Sequence, residues 1–216
     1  MSDILKEIDE ELRREHMAAL WRKYKVPLLG SIALIILGTA TFTTWKQHKE
    51  SREVALSVAL GSLATRPGMT EEQKVESFLA FSKQNPQSGQ GVLAQLTAIG
   101  ALIKDGKRDA AVKQLDALAN DSYANQLTKD YARLVRIQLL LDTGDPVALR
   151  QQLAPLAENG QPWRYNARMM QGLLYGKHGD YVRARDLFKA LGESSDAPTT
   201  TREEAKLLAR YYATQG

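Results

Sequence analysis

Three histidines and no cysteine limit what this 216-residue chain can do chemically. His16, His48 and His178 lie far apart, so no imidazole cluster offers metal-ligating spacing and no nucleophile–histidine triad is indicated. The lack of cysteine removes thiol chemistry, disulfides and thiolate-bound zinc. No Walker-type loop, dinucleotide fingerprint, HExxH or GxSxG occurs. Gly89-Gln90-Gly91 is too short for a phosphate cradle, lacks a preceding strand, and reads as a helix start. Asp105, Asp142, Asp145 and Asp180 sit at turn signals and read as turn and cap residues. His178 precedes a turn glycine near a helix C-terminus, where a cation is favoured. Tyr131, Tyr165, Tyr175, Tyr211 and Tyr212 are spaced as packing or groove-lining groups. With no catalytic set, no metal set and no cofactor motif, the sequence points away from an enzyme and toward a binding protein.

The elements that would position such a surface are helices. From residue 46 onward apolar residues recur at spacings of three and four, with no sustained strand alternation, so the fold class is all-α. Helix boundaries are marked. Thr70 with Gln73, and Thr200 with Glu203, read as capping boxes. Asp145-Pro146 is an N-cap followed by proline at the first helical position, and Gly179-Asp180 ends one helix and caps the next.

The same region repeats. Gly106, Gly144 and Gly179 are separated by 38 and 35 residues. Around them recur Ala111, Leu149 and Ala184, then Leu115, Leu153 and Phe188, then Leu118, Leu156 and Leu191. Ahead of them fall Leu102, Leu140 and Tyr175, and earlier Ile99, Ile137 and Gly172. Each block is a helix, a tight turn and a second helix that cannot bury its apolar face alone, so neighbouring pairs must stack. Flanking helices are expected over 46–64, over Glu71–Gln84 after the Arg66-Pro67-Gly68 break, and over 201–213. In the last, Ala205, Leu208 and Tyr212 share a face, as a capping helix requires.

This pattern resembles the tetratricopeptide repeat family. In the third block Gly172, Tyr175, Gly179, Tyr181, Ala184 and Phe188 fall on that family's small, aromatic, turn and packing positions. Gly172 and Ala184 would let two helices approach, with Tyr175 and Phe188 filling the groove between them. The signature tryptophan position holds Arg168, with Trp163 five residues earlier, and the terminal proline position holds Asp196, so the repeats are degenerate. The resemblance implies an α-solenoid of about three helix pairs with flanking helices. It also implies a concave groove lined by the first helix of each pair. Lys104, Gln138, Asn166 and Lys177 would face that groove and hold a peptide by hydrogen bonds and charge.

Residues 26–45 carry no charge over twenty positions, and as a helix would span about 30 Å, the thickness of a bilayer core. Trp21, Tyr24 and Trp45 supply interfacial aromatics, and Pro27 sits in the first turn. Gly30, Ser31 and Gly38 are small enough to admit another helix. The exit lacks a small-x-small cleavage site, so the segment reads as a retained transmembrane helix. Residues 13–25 hold five Lys/Arg against three in 46–58, which favours an N-terminus in the cytoplasm. The expected domains are therefore a cytoplasmic segment 1–25, a span 26–45 and a periplasmic domain 46–216. Ile4, Leu5, Ile8, Leu12 and Ala19 fall on one face of the first segment, which is amphipathic. That segment balances six Lys/Arg with six Asp/Glu, and the net charge of +4 is spread through the rest without a dense basic face. Nucleic-acid binding is not indicated.

The layout of a short cytoplasmic segment, one span and a degenerate repeat domain resembles the ancillary SecYEG translocon subunit family (YfgM-like). That resemblance implies a non-catalytic inner-membrane protein without cofactors. Its partners would be the SecYEG translocon and a membrane-anchored periplasmic peptidyl-prolyl isomerase chaperone (PpiD-like), working on exported client polypeptides. The alternative is an envelope scaffold or cell-division coordinator that binds cell-wall machinery.

Overall fold

The computed structural model describes residues 41–215 together with Met17, Gly38 and Thr39. The chain divides into two compact units, Met1–Val58 and Ala59–Gly216. Residues 41–64 are helical (α1), and the part up to Val58 belongs to the first unit. In it Thr41 donates its hydroxyl to the Gly38 carbonyl (3.0 Å), Thr43 to Thr39 (2.8 Å) and Thr44 to Thr41 (3.0 Å). Side-chain back-bonding of this kind satisfies the hydroxyl donors without water. The expected span 26–45 overlaps the described residues only at 38, 39 and 41–45, and Gly30 and nearly all of 1–25 lie outside them. Among the described residues no helix is long and apolar enough to cross a membrane. Gly38 is helical and exposed, with open space where a Cβ would sit.

In the second unit the expected pairs form. They are α3 (Gly89–Lys104) with α4 (Arg108–Ala119), α5 (Gln126–Leu140) with α6 (Pro146–Leu153), and α7 (Arg164–Lys177) with α8 (Tyr181–Glu193). α2 (Glu71–Gln84) and α9 (Thr199–Ala213) flank them. Each helix packs on a neighbour in the chain, and α7 also meets α5 and α9, so the first helices of the second and third pairs lie side by side. That is the arrangement of stacked helix pairs sharing one continuous core.

Local chemistry explains most boundaries. The Gln73 N–H donates to the Thr70 hydroxyl at 3.2 Å and the Thr70 N–H to the Gln73 carbonyl at 3.0 Å, closing the capping box of α2. Asp145 accepts from the N–H groups of Val147 and Ala148 ahead of α6, with Pro146 in the first turn. Gly106 (φ 72°) and Gly179 (φ 80°) are left-handed, which only glycine adopts freely. The Lys107 N–H returns to the Leu102 carbonyl and the Asp180 N–H to Tyr175, as a Schellman end requires.

One turn glycine differs from the other two in its backbone, and one expected cap needs correction. Gly144 is not left-handed. A Cβ there would lie 3.0 Å from both the Leu140 carbonyl and Leu149 Cδ1, so size rather than backbone freedom selects glycine. Thr200 and Glu203 do not form a capping box. α9 starts earlier, at Thr199, with Pro198 in the N-cap position and no side-chain cap, because proline's fixed φ already sets the first turn.

The core follows the repeat register. Ala111, Leu115, Leu118, Ile137, Leu153, Ala184 and Phe188 have no exposed surface, and Ile99, Leu149 and Leu191 are nearly as buried. All but Ala111 of these residues fall into three clusters, joining α3–α4–α5, α5–α6–α7 and α7–α8–α9 in turn. Leu156 lies past the short α6 yet still points into the middle cluster.

Candidate protein-binding faces

Positions 13, 9, 6 and 2 residues before each turn glycine fall on one face of each first helix. On α3 they are Leu93, Thr97, Gly100 and Lys104, all exposed. On α5 they are Tyr131, Val135 and Gln138, with Asp142 just beyond the helix, and on α7 they are Asn166, Met170, Leu173 and Lys177. Lys104, Gln138 and Asn166 are exposed on these stripes. Their side chains make no hydrogen bond or ion pair with any described residue.

Lys177 departs from the expectation of a free groove residue. Its ammonium pairs with Asp142 in the turn after α5, and Arg108 at the start of α4 lies 4.0 Å from the same carboxylate. The Lys177 hydrogen bond and charge, with Arg108 adding to them, hold the Asp142 carboxyl below its usual range. Further along this turn edge Lys107 pairs with Glu72 of α2 at 2.7 Å, lowering that carboxyl in the same way. The Lys107–Glu72 and Lys177–Asp142 partners are each 35 residues apart, one repeat length. Lys177 is thus a tie between repeats rather than a ligand group.

Aromatic groups complete the outward face. The Trp163 ring lies 5.5 Å from Tyr131, and its indole N–H donates to the Leu127 carbonyl at 3.1 Å. Leu127 and Leu93 are half exposed, at 50% and 54%. An aromatic platform beside free amide and ammonium groups can hold an extended peptide by stacking and hydrogen bonds. Arg168, at the position a tryptophan would take, donates instead to the Ala157 carbonyl (2.9 Å) and Asn159 (2.8 Å), pinning the segment between α6 and α7.

The packing residues behave unequally. A Cβ on Gly172 would come within 2.6–2.9 Å of three atoms of the enclosed Phe188 ring. Tyr175 packs against the same cluster as Phe188 and Ala184. It is half-buried, with the guanidinium groups of Arg150 and Arg183 at 5.0 and 5.8 Å from its ring. Tyr181 stacks on Tyr212 at 6.1 Å. Gly176, absent from the expected set, receives the Tyr212 ring against its bare Cα. The sequence signal was present as Gly172 and Gly176 one helical turn apart.

A second feature was not anticipated. A cleft of about 640 Å³ opens between α4, α5 and α6. On its α5 wall Asp130, 5% exposed, accepts from Gln126 (2.8 Å) and Arg133 (2.7 Å). Arg136 places Nε 2.5 Å from Asp116 of α4 and donates through Nη1 to Gln152 of α6 at 2.9 Å. Among the described residues no group of three His, Asp or Glu could hold a metal ion.

A family model for the tetratricopeptide repeat-like domain matches residues 19–207, and the chain belongs to that family. The match begins ahead of the uncharged 26–45 segment and ends within α9. No curated protein and no solved structure gives a significant match. Repeat stacks of this family are protein-binding modules, typically without catalytic activity.

Proposed function

We propose that the protein is a single-span inner-membrane subunit ancillary to the SecYEG translocon, with its N-terminus in the cytoplasm. Its periplasmic repeats would bind exported polypeptides alongside a PpiD-like isomerase chaperone. The observation that carries the binding role is the outward face of α3, α5 and α7, where Lys104, Gln138 and Asn166 stand free beside the Tyr131–Trp163 platform. The uncharged 26–45 segment and its aromatic flanks support the membrane placement. The segment would dock laterally on a membrane partner through Gly30 and Gly38, raising the local concentration of the repeats at the channel exit. Client binding would then be weak and brief.

The test is mild-detergent affinity purification of the full chain, beside a chain starting at residue 46, with identification of co-purifying proteins. Translocon subunits and an isomerase chaperone should appear with the full chain alone. Recovery of division or cell-wall proteins in their place would overturn the translocon reading in favour of an envelope scaffold. Gly30→Leu with Gly38→Leu should weaken complex formation while leaving the repeat domain folded. Unchanged co-purification would remove the docking step.

A further inference from the structure

We infer that the cleft between α4, α5 and α6 is a second binding site, for the backbone of an extended, uncharged polypeptide segment. This rests on the protein-binding reading and adds a separate surface to it. Gln126 and Asp130 precede Leu127 and Tyr131 of the outward line of α5 by one position, and so lie about 100° around the helix from it.

Room, charge and unused hydrogen bonds point to this ligand. The volume of about 640 Å³ falls within the range of small-ligand clefts and admits a few residues of extended chain. The charges cancel locally, Asp130 against Arg133 and Asp116 against Arg136, so no net field favours a phosphate, a carboxylate or a cation. Two carboxamides are half used. The Gln126 side-chain NH2 is committed to Asp130, which leaves its carbonyl free to accept. The Gln152 side-chain carbonyl accepts a hydrogen bond from Arg136, which leaves its NH2 free to donate. Gln161 has no side-chain partner among the described residues and can do both. A peptide backbone alternates N–H and C=O, the set this wall complements. Asp130 and Arg136 hold the two glutamines in place beforehand, which lowers the ordering cost of binding. Recognition of backbone rather than side chains tolerates many client sequences.

The test uses the full chain in detergent micelles and a fluorescein-labelled, unstructured peptide of serine, threonine, glutamine and glycine, read by anisotropy. Gln152→Ala with Gln161→Ala should weaken probe binding about tenfold, the effect of losing about two hydrogen bonds. Tyr131→Ala should change binding less than about twofold, and raising the salt should have little effect. The thermal midpoint of the double variant should fall only by the loss of the single Arg136–Gln152 tie, since Gln152 is exposed and neither residue belongs to the core. Gln161→Ala alone, which breaks no tie, should keep the parent midpoint and still weaken the probe. Binding undiminished in the glutamine variant but lost in Tyr131→Ala would place the peptide on the outward face, overturning the cleft while keeping the protein-binding reading. A steep salt dependence would overturn backbone recognition. No probe binding while the full chain still captures protein partners removes the cleft alone, and no binding with no partners removes both.

Discussion

The third helix pair and the second share one register but are held together in different ways. α7 offers bare backbone at Gly172 and Gly176, and the rings of Phe188 and Tyr212 lie directly against it, stacked on each other at 5.6 Å and 8°. In the second pair the position of Gly172 holds Ile137, and α6 has only 8 residues. The backbones of α5 and α6 scarcely approach each other. Polar ties take over. Arg136 reaches both α4 and α6, Lys177 reaches Asp142, and Arg168 reaches the segment between α6 and α7. A missing side chain lets aromatic rings close a junction without gaps. Beside the second pair a cleft stays open, lined by the polar groups that brace α4, α5 and α6.

The sharpest way to break this contrast is Phe188→Ala. Emptying a fully enclosed ring site should cost about 3–5 kcal/mol in urea unfolding, and a loss below about 1 kcal/mol would mean the ring does not close the third pair. Gly172→Ala should come next. The added carbon meets an enclosed ring that cannot move aside, an overpacking cost of about 1–3 kcal/mol against a helix-propensity gain of about 1 kcal/mol. Net destabilisation is expected. Gly176→Ala should cost less, because the half-buried Tyr212 can swing away. Stabilisation by Gly172→Ala would show that the close approach is not needed.

Arg136→Met tests the polar side of the comparison. Losing the ties to Asp116 and Gln152 should cost about 1 kcal/mol and speed amide exchange in α6 rather than in α8. Equal acceleration in both helices would erase the distinction. The smallest effect belongs to the turn-edge ion pairs. Asp142 and Glu72 have lowered carboxyl pKa values, set mainly by hydrogen bonds from Lys177 and Lys107. Their contribution is present above the ordinary carboxylate range and is lost as pH falls through the lowered folded values. The melting temperature of Asp142→Asn should therefore fall less than the parent's between neutral and strongly acidic pH. Both carboxylates are exposed, so added salt should narrow the gap.

Features carried by neighbouring residues were legible in the sequence. Gly106, Gly179, Asp145-Pro146 and Thr70 with Gln73 each set their own backbone, and the structure places them as read. The three core positions repeated after each turn were legible too, because burial follows helical period. Thr200 misled because its capping pattern competed with Pro198, whose fixed geometry started the helix first. Lys177 misled because a free ammonium and a paired one look alike until the turn holding Asp142 is placed beside it. Gly176 was passed over because its reason, the Tyr212 ring, lies 36 residues away.

By itself the sequence determined an all-α chain of three glycine-turned helix pairs, since caps, turns and apolar period are local properties of the backbone. It also determined that no thiol, metal or nucleotide chemistry is written into recognisable motifs. Only the tertiary structure decided which polar residues remain free. Gln138 and Asn166 stay open to a partner while Lys177 and Arg136 are consumed in bracing the stack. Only it decided that the second pair leaves a cleft where the third is closed. Both outcomes depend on which helices meet, and contacts across a whole repeat are set by packing rather than by any residue's own preference.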